Sequence, residues 1–351
     1  MEFIRVEDCC EILDSQRKPV TESERVPGMY PYYGANGIQG TINQYIFDDK
    51  LVLVAEDGGH FGSKIKPIAY LVNGKCWVNN HAHVLRPKKG FLAEYICYSL
   101  MFYKVEGYIN GATRQKLTQA ALRKLIIPKR SLEYQKAIVD RLDLVKCIIE
   151  KKQNIINELE LLIKSRFVDL FGDIELNDRK WKKIKFGELI KSANNGLARR
   201  GNNKAGNIVL RLIELQENLI NYSDPNRISL TDDEKKRYRL LEGDLLFARV
   251  NGNPKNVGRC ATFYEYGEQV YHNDHIIRTS CDKSQLDSVF AAYLFNSEYG
   301  KNRISRKIKT SAGQYTINQE GLKSIEIILP PIVIQYSFAE FVKQINKLKF
   351  D

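Results

Sequence analysis

The chain has 351 residues, more than one ordinary core carries, so two domains are expected. Its composition, 43% hydrophobic and 27% charged, excludes a wholly disordered chain, and no apolar run reaches the roughly 18–20 residues that cross a bilayer. Lys+Arg total 54 against 42 Asp+Glu, a net charge of +12, which favours a polyanionic partner; the N-terminus, MEFIRVEDCC, lacks the basic-then-apolar layout of a secretory signal, so a cytoplasmic location is expected.

In chain order, the first half opens with strand-like, turn-rich sequence. YPYYGANGIQG (30–40) has the Gly and Asn density of irregular loops, and LVLVAEDG (51–58) is an apolar strand run ending in an Asp-Gly turn signal. His81 and His83 alternate in NNHAHVLRP, so on a strand both face one side. No acidic or Cys cluster stands near them, and structural hydrogen bonding is favoured over a metal. The seven cysteines (Cys9, Cys10, Cys76, Cys97, Cys147, Cys260, Cys281) show no Cys-x-x-Cys spacing. They read as reduced and mostly buried. After Pro128, Ser131 is a good N-cap with Glu133 in the first turn, and Gly172 supplies a stop. Between them Ile138, Leu142, Val145, Ile149, Lys152, Ile156, Leu159, Ile163, Arg166 and Leu170 keep a 3–4 spacing, eight of the ten being apolar. Forty residues at ~1.5 Å each make a rod of roughly 60 Å.

The second half repeats the plan. Gln119–Val145 aligns with Gln319–Ile345 at a constant shift of 200, placing Gln119 on Gln319, Leu122 on Leu322 and Gln135 on Gln335. LLFARVNG (245–252) echoes LVLVAEDG (51–58), and HIIR (275–278) echoes HVLR (83–86). In that alignment His275 answers His83, and Asn273 stands where the first half has His81. A second helix follows Pro330-Pro331, with Phe338, Phe341, Val342, Ile345 and Leu348 on one side. It is the natural antiparallel partner of the first.

Catalytic constellations are hard to find. A methylating enzyme of the amino-group type needs a Gly-rich cofactor turn and an Asn/Asp-Pro-Pro-aromatic loop, and an ATP-driven motor needs G-x-x-x-x-G-K; the sequence carries none of these. Asp232-Asp233-Glu234-Lys235 has a nuclease flavour but follows Ser-Leu-Thr and reads better as a capped helix start. Polar and basic loops suited to base edges and phosphates are plentiful. In the first half they offer Tyr32, Tyr33, Asn36, Asp57, His60, Lys64, Arg114, Gln115 and Lys116. The second half offers Asn194, Asn195, Arg199, Arg200, Arg249, Asn251, Asn253 and Lys255, with Arg303, Arg306 and Lys307 beyond.

YPYYGANGIQG with the AEDGG loop, NNHAHVLRP, GATRQKLTQAALRKLIIP and the YQKAIVDRLDLV helix, echoed by LLEGDLLFARVNGNP and AGQYTINQEGLKSIEIILPP, resemble the DNA-specificity subunit of type I restriction–modification systems. The resemblance covers nearly the whole chain. It implies an α+β protein with an internal pseudo-two-fold duplication. Target recognition domains at 1–130 and 173–332 are joined and separated by helices at 131–172 and 333–351 that form an antiparallel coiled coil. Each domain is expected to read half of a bipartite, asymmetric DNA target. Catalysis is expected of the partners, two methyltransferase subunits using S-adenosylmethionine and motor/nuclease subunits using ATP with Mg, and this chain is expected to bind no cofactor or metal itself. One departure stands out. At the 200-residue shift Asp351 answers Lys151, so the second helix lacks a counterpart for 152–171. Either the chain is shortened, or an unpaired seam from Ile156 to Leu170 is expected to meet a methyltransferase or a second copy of the chain. The alternative reading is a stand-alone nucleic-acid-binding regulator or decoy, which co-purification without a methyltransferase would reveal.

Overall fold

The computed structural model describes residues 2–111, 115–311 and 313–350. The chain forms two compact units, Met1–Lys152 and Gln153–Asp351, which divide within a single long helix.

In the first unit a six-stranded sheet is built from β1 (Cys10–Ile12), β2 (Tyr30–Gly34), β3 (Gly37–Ile42), β4 (Phe47–Ala55), β5 (Ala69–Val78) and β6 (Ala82–Pro87), in the order β1-β6-β4-β5-β2-β3. The run Leu51–Ala55 makes β4 the buried centre, with every residue fully enclosed. Strand alternation sends Val52 and Val54 to one face, against Ile96, Cys97 and Leu100 of helix α1 (Ala93–Leu100). Leu51 and Leu53 go to the other, against Leu13, Val72 and Val84. Each such side chain contributes roughly 1.5–3 kcal/mol through burial. Helix α2 (Gln119–Lys124), capped by Thr118, follows, and Ile126–Pro128 pairs antiparallel with Phe3–Arg5 to close the unit.

In the second unit two sheets are built from β7 (Ile190–Asn195), β8 (Asn207–Leu210), β9 (Arg227–Ile228), β10 (Leu245–Ala248), β11 (Cys260–Thr262), β12 (Val270–His272) and β13 (Ile276–Cys281). They form one sheet ordered β7-β13-β10-β11 and another ordered β9-β8-β12. Strand β10 repeats the logic of β4. Leu245 and Phe247 face Phe290 and Phe295 of α4 (Ser288–Asn296), while Leu246 and Ala248 face Ile208, Leu210 and Ile276.

The duplication is legible in individual hydrogen bonds. Gln135 and Gln335, both fully buried, make the same three contacts. Gln135 donates to Gly90 and Arg130 carbonyls and accepts from the Leu92 N–H, each at 2.9 Å. Gln335 donates to Gln285 and Pro330 carbonyls at 3.0 and 2.7 Å and accepts from Asp287 N–H at 2.9 Å. The 200-residue shift thus holds at these helices. Upstream, the alignment of the strands must be corrected by one residue on β4 and two on β6. Ala55 ends its pairing opposite Ala82, as Ala248 does opposite Ile276. The Glu56 N–H donates to His81 O (2.9 Å) as the Arg249 N–H does to His275 O (2.8 Å). His275 is therefore the equivalent of His81, not of His83, and Asn273 is the equivalent of Asn79, not of His81. On β4 the reason is strand alternation, since matching Val54 to Ala248 would put them on opposite sheet faces, whereas Val54 and Phe247 both face the helix layer; on β6 a two-residue shift keeps the face, and the pairings of Ala55 with Ala82 and Ala248 with Ile276 set the register.

The long helix, α5 (Leu132–Phe171), and the terminal helix, α6 (Ile332–Phe350), meet inside the second unit. Phe338 lies 5.3 Å from Phe167 and 5.6 Å from Phe171, the Arg166 guanidinium sits 5.9 Å from the Phe341 ring, and Lys349 Nζ is 3.7 Å from Glu160. The pairing is antiparallel, and it covers the seam that was expected to stand open. Ile163, Phe338, Val342 and Ile345 are buried, Ile156 and Leu159 half-buried. Leu142, Val145 and Ile149 are instead exposed, with Ile138 half-buried. The physical cause is direction. A helix equivalent to 132–150 by duplication, returning antiparallel from the base of its own domain, meets the far end of α5 first. Among the described residues no helix is long and apolar enough to cross a membrane, and six of the seven cysteines are buried.

Candidate nucleic-acid interface

In each unit the central strand ends beside a turn that carries an Asn-x-His triplet. Asn79 Oδ1 accepts the His81 N–H at 2.8 Å, and Asn273 Oδ1 accepts the His275 N–H at 3.1 Å. A parallel strand holds each turn, through Asn79 N–H to Tyr33 O and Asn273 N–H to Leu210 O, both 3.0 Å. The downstream loop is stitched on from Leu117 N–H to Glu56 O (2.7 Å) and from Ile317 N–H to Arg249 O (2.9 Å). A shared backbone frame therefore presents different side chains in the two units.

In the first unit the frame gathers Asn36, Asp57 and Lys116. Asn36 Nδ2 donates to Gly58 O (2.9 Å), Asp57 Oδ1 lies 2.8 Å from His81 Nδ1, and Lys116 Nζ lies 2.9 Å from Glu56. His60 is half-buried and Lys64 exposed in the loop after Gly59; Gln115 is exposed, and Arg114 lies outside the described residues. Tyr33 is half-buried with its ring 5.9 Å from Tyr70. Tyr32 is a correction. It is 1% exposed, its hydroxyl accepts from Val20 N–H (3.0 Å) and donates to Val20 O (3.1 Å), and Arg25 covers its ring. Alternation along β2 turns it into the core, where it pins the 18–25 segment and offers DNA no surface.

Beneath this rim lies a buried charge network. His83 Nδ1 is 2.6 Å from Asp14 Oδ2 and Nε2 is 2.8 Å from Leu117 O. Asp14 also accepts from Val84 N–H and Gln119 Nε2, and Arg17 bonds Glu56 at 2.7 Å. Ligand-type atoms of Asp14, Glu56 and His83 lie within 4.8 Å of one another. The Arg17 and Lys116 cations already neutralise Glu56, and both His83 nitrogens are spent, so the cluster works as a structural clamp. Burial pushes the Asp14 carboxyl upward, but His83, Val84 and Gln119 together hold it below the usual carboxylate range. Its contribution to stability is thus fully present above about pH 4, the unfolded value, and is lost as pH falls through the lowered folded value. Asp14→Ala is expected to cost about 3 kcal/mol at pH 7. Urea titrations at pH 7 and pH 3 check this, since the difference from the parent must shrink in acid.

In the second unit Arg200 and Arg249 converge on the triplet. Arg200 Nη1 lies 2.8 Å from Asp274 and Nη2 donates to His275 Nε2 at 2.9 Å, while Arg249 Nε donates to Asp274 O at 2.7 Å. Arg200 and His275 line one concavity with Arg199, Arg211, Asn226 and Asn273. Burial, Arg200 and Arg249 lower the His275 pKa against the pull of Asp274. Arg199 grips Glu234 at 2.8 and 2.7 Å, holding that carboxyl down to about 2. Glu234 also completes a capping box with Thr231 on the helix Asp232–Tyr238, so the acidic run there is a helix start. Asn194 donates to Arg237 O (3.1 Å), and Asn195 accepts from Gln319 (3.2 Å). Asn251 and Asn253 make successive Asx turns that leave Lys255 exposed. Arg306 and Lys307 are exposed on a separate turn. Arg303 is a second correction: its guanidinium stacks 3.3 Å from the Tyr299 ring centre and bonds Glu175 (3.0 Å), bracing two elements. The sequence assigns His81 to structural hydrogen bonding, aligns His275 with His83 and Asn273 with His81, and draws no attention to Asn79 or Arg211. Asn79, His81, Asn273 and His275 carry a signal, an Asn-x-His repeated at a shift of 194.

A sequence profile of the family described as the type I restriction modification DNA specificity domain matches residues 1–161 and 178–351. The chain is 28% identical over 353 residues to the type I restriction enzyme StySPI specificity subunit of Salmonella potsdam. It is 26% identical over 354 residues to the EcoKI specificity subunit of Escherichia coli K12; each alignment covers 91% of this chain and 75% of the relative. The fold is similar to the crystal structure of the type I S subunit from M. genitalium, with a TM-score of 0.63 at 13% identity, covering 99% of this chain and 90% of that one.

Proposed function

The chain belongs to the type I restriction–modification DNA-specificity family, whose members are non-catalytic recognition subunits, and we propose that it reads a bipartite, asymmetric DNA target with one half-site per unit. The observation that carries this reading is one backbone frame used twice with different chemistry. Around the shared Asn-x-His turn the first unit sets the Asp57 carboxylate against His81, whereas the second sets the Arg200 guanidinium against His275. Identical frames would deliver their side chains to equivalent places on a groove, and opposite charges there select different base pairs. Residues 1–130 and 173–332 act as the two recognition domains, and the helices at 131–172 and 333–351 set the spacing.

Asn36, Asp57, His60, Lys64, Gln115 and Lys116 face one half-site. Asn194, Asn195, Arg199, Arg200, Arg249, Asn251, Asn253 and Lys255 face the other, with Arg306 and Lys307 on phosphates. Two methyltransferase subunits holding S-adenosylmethionine methylate adenine, and motor/nuclease subunits using ATP with Mg cut unmodified DNA in the cytoplasm. The apolar residues exposed along α5, Leu142, Val145, Ile149 and Ile155 among them, supply the docking surface for a methyltransferase or a second copy. Methylome sequencing of a host with and without the gene tests the reading. The deletion is expected to abolish one bipartite adenine-methylation motif, and an unchanged methylome would overturn it.

A further inference from the structure

We infer that His81 and His275 are specificity-determining residues, each contacting a base edge in the half-site read by its own unit. The inference rests on the proposed DNA-reading function and assigns a role within it.

The two imidazoles occupy equivalent positions, fixed by four matched hydrogen bonds: the Asn side chain to the His N–H, the His carbonyl to the central strand, the Asn N–H to the parallel strand, and the strand end to the downstream loop. These bonds fix the backbone from which each imidazole projects. Both side chains are 37% exposed, enough to reach outward and too little to move freely. Each ring has one nitrogen tied by a charged neighbour and one without a contact among the described residues. A base edge needs that arrangement: a ring of fixed orientation with one polar atom unspent.

The neighbours differ, and they set what each ring presents. The Arg200 N–H points at His275 Nε2, so Nε2 carries the lone pair and Nδ1 carries the proton. His275 therefore offers a donor, which suits an acceptor such as guanine O6 or N7 in the major groove. Arg199, Arg200 and Arg211 share the concavity with this donor, each paired with a carboxylate, Glu234, Asp274 and Glu214 in turn. In the first unit the Asp57 carboxylate faces His81 Nδ1, which is therefore the protonated nitrogen, and Nε2 is presented. In the neutral ring Nε2 is an acceptor, suited to the exocyclic amino group of cytosine or adenine.

The test uses the complete chain assembled with its methyltransferase subunits. Methylation of a library randomised at every target position is compared among the parent, His275→Phe, His81→Phe and Arg200→Gln. His275→Phe is expected to lose roughly ten- to a hundredfold of discrimination at one base pair of one half-site, with the other half-site unchanged. His81→Phe is expected to do the same in the opposite half-site. Arg200→Gln leaves the imidazole in place but releases its orientation, and must relax the same base pair as His275→Phe; it reads that position even if the phenyl ring unseats the turn. Parent-like discrimination in all three variants, in a complex that still recognises a bipartite target, would overturn the inference and leave the proposed function standing. Changes spread over both half-sites would overturn it too. A parent complex that recognises no bipartite target would instead remove the reading on which the inference rests.

Discussion

Replacing residues 1–130 with the matching segment of a relative is expected to change one half of the methylated sequence completely while preserving the other half and the gap between them. The first unit is built to be exchanged in this way. Phe3–Arg5 pairs with Ile126–Pro128, and the Lys129 N–H donates to Glu2 O at 2.9 Å, so both cut ends lie at one closure. Its cores, packed around Val52 and Val54 on one side of the sheet and Leu51 and Leu53 on the other, draw on residues before 130. What the replacement must keep is the socket for Gln135, formed by the carbonyls of residues 90 and 130 and the N–H of residue 92. A segment lacking it would leave a buried amide unpaired, at about 1–3 kcal/mol. Specific sites exceed non-specific DNA by roughly a thousandfold or more, so a switched half-site is unmistakable in a methylome. If both halves changed, the assignment of one unit to one half-site would fail.

Much of this organisation is legible in the sequence because it is written in apolar runs and caps. LVLVA and LLFA announce central strands, Ser131 and Gly172 bracket the long helix, and Gln135 and Gln335 mark the duplication at the right shift. What escaped lies where a register error of one or two residues has no compositional trace. HVLR and HIIR look alike, yet the pairing of Ala55 with Ala82 and Ala248 with Ile276 makes His81 and His275 the true equivalents. Sequence likeness weighs residue types, whereas register is set by the backbone pairing between strands, and a slip of two residues leaves every side chain on its own face. Tyr32 and Arg303 escaped for a related reason. A tyrosine in a Gly-rich loop and an arginine in a basic run look available, and only tertiary contacts show that Val20, Tyr299 and Glu175 have claimed them.

The terminal helix yields the other large effect, and it follows from where the seam closes. Phe338 is fully buried, its ring 5.3 Å from Phe167, 5.6 Å from Phe171 and 5.2 Å from Tyr293. It sits where the end of α5, the start of α6 and helix α4 converge, next to the buried Gln335. Phe338→Ala is expected to destabilise the second unit by about 3–5 kcal/mol, because a cavity at this convergence cannot collapse without moving a helix. Val145→Ala, on the exposed stretch of α5, is expected to change stability by no more than about 0.5 kcal/mol. Guanidinium titrations of the two variants measure the contrast. The same loss carries a functional consequence. A second unit weakened by that amount should fail first at its own half-site as temperature rises, so the methylome of the Phe338→Ala strain degrades in one half of the target. Equal effects of Phe338→Ala and Val145→Ala would mean that the seam closes elsewhere along α5. A large effect confined to Phe338→Ala places the closure at residues 160–171, as Lys349 beside Glu160 and Phe341 beneath Arg166 require.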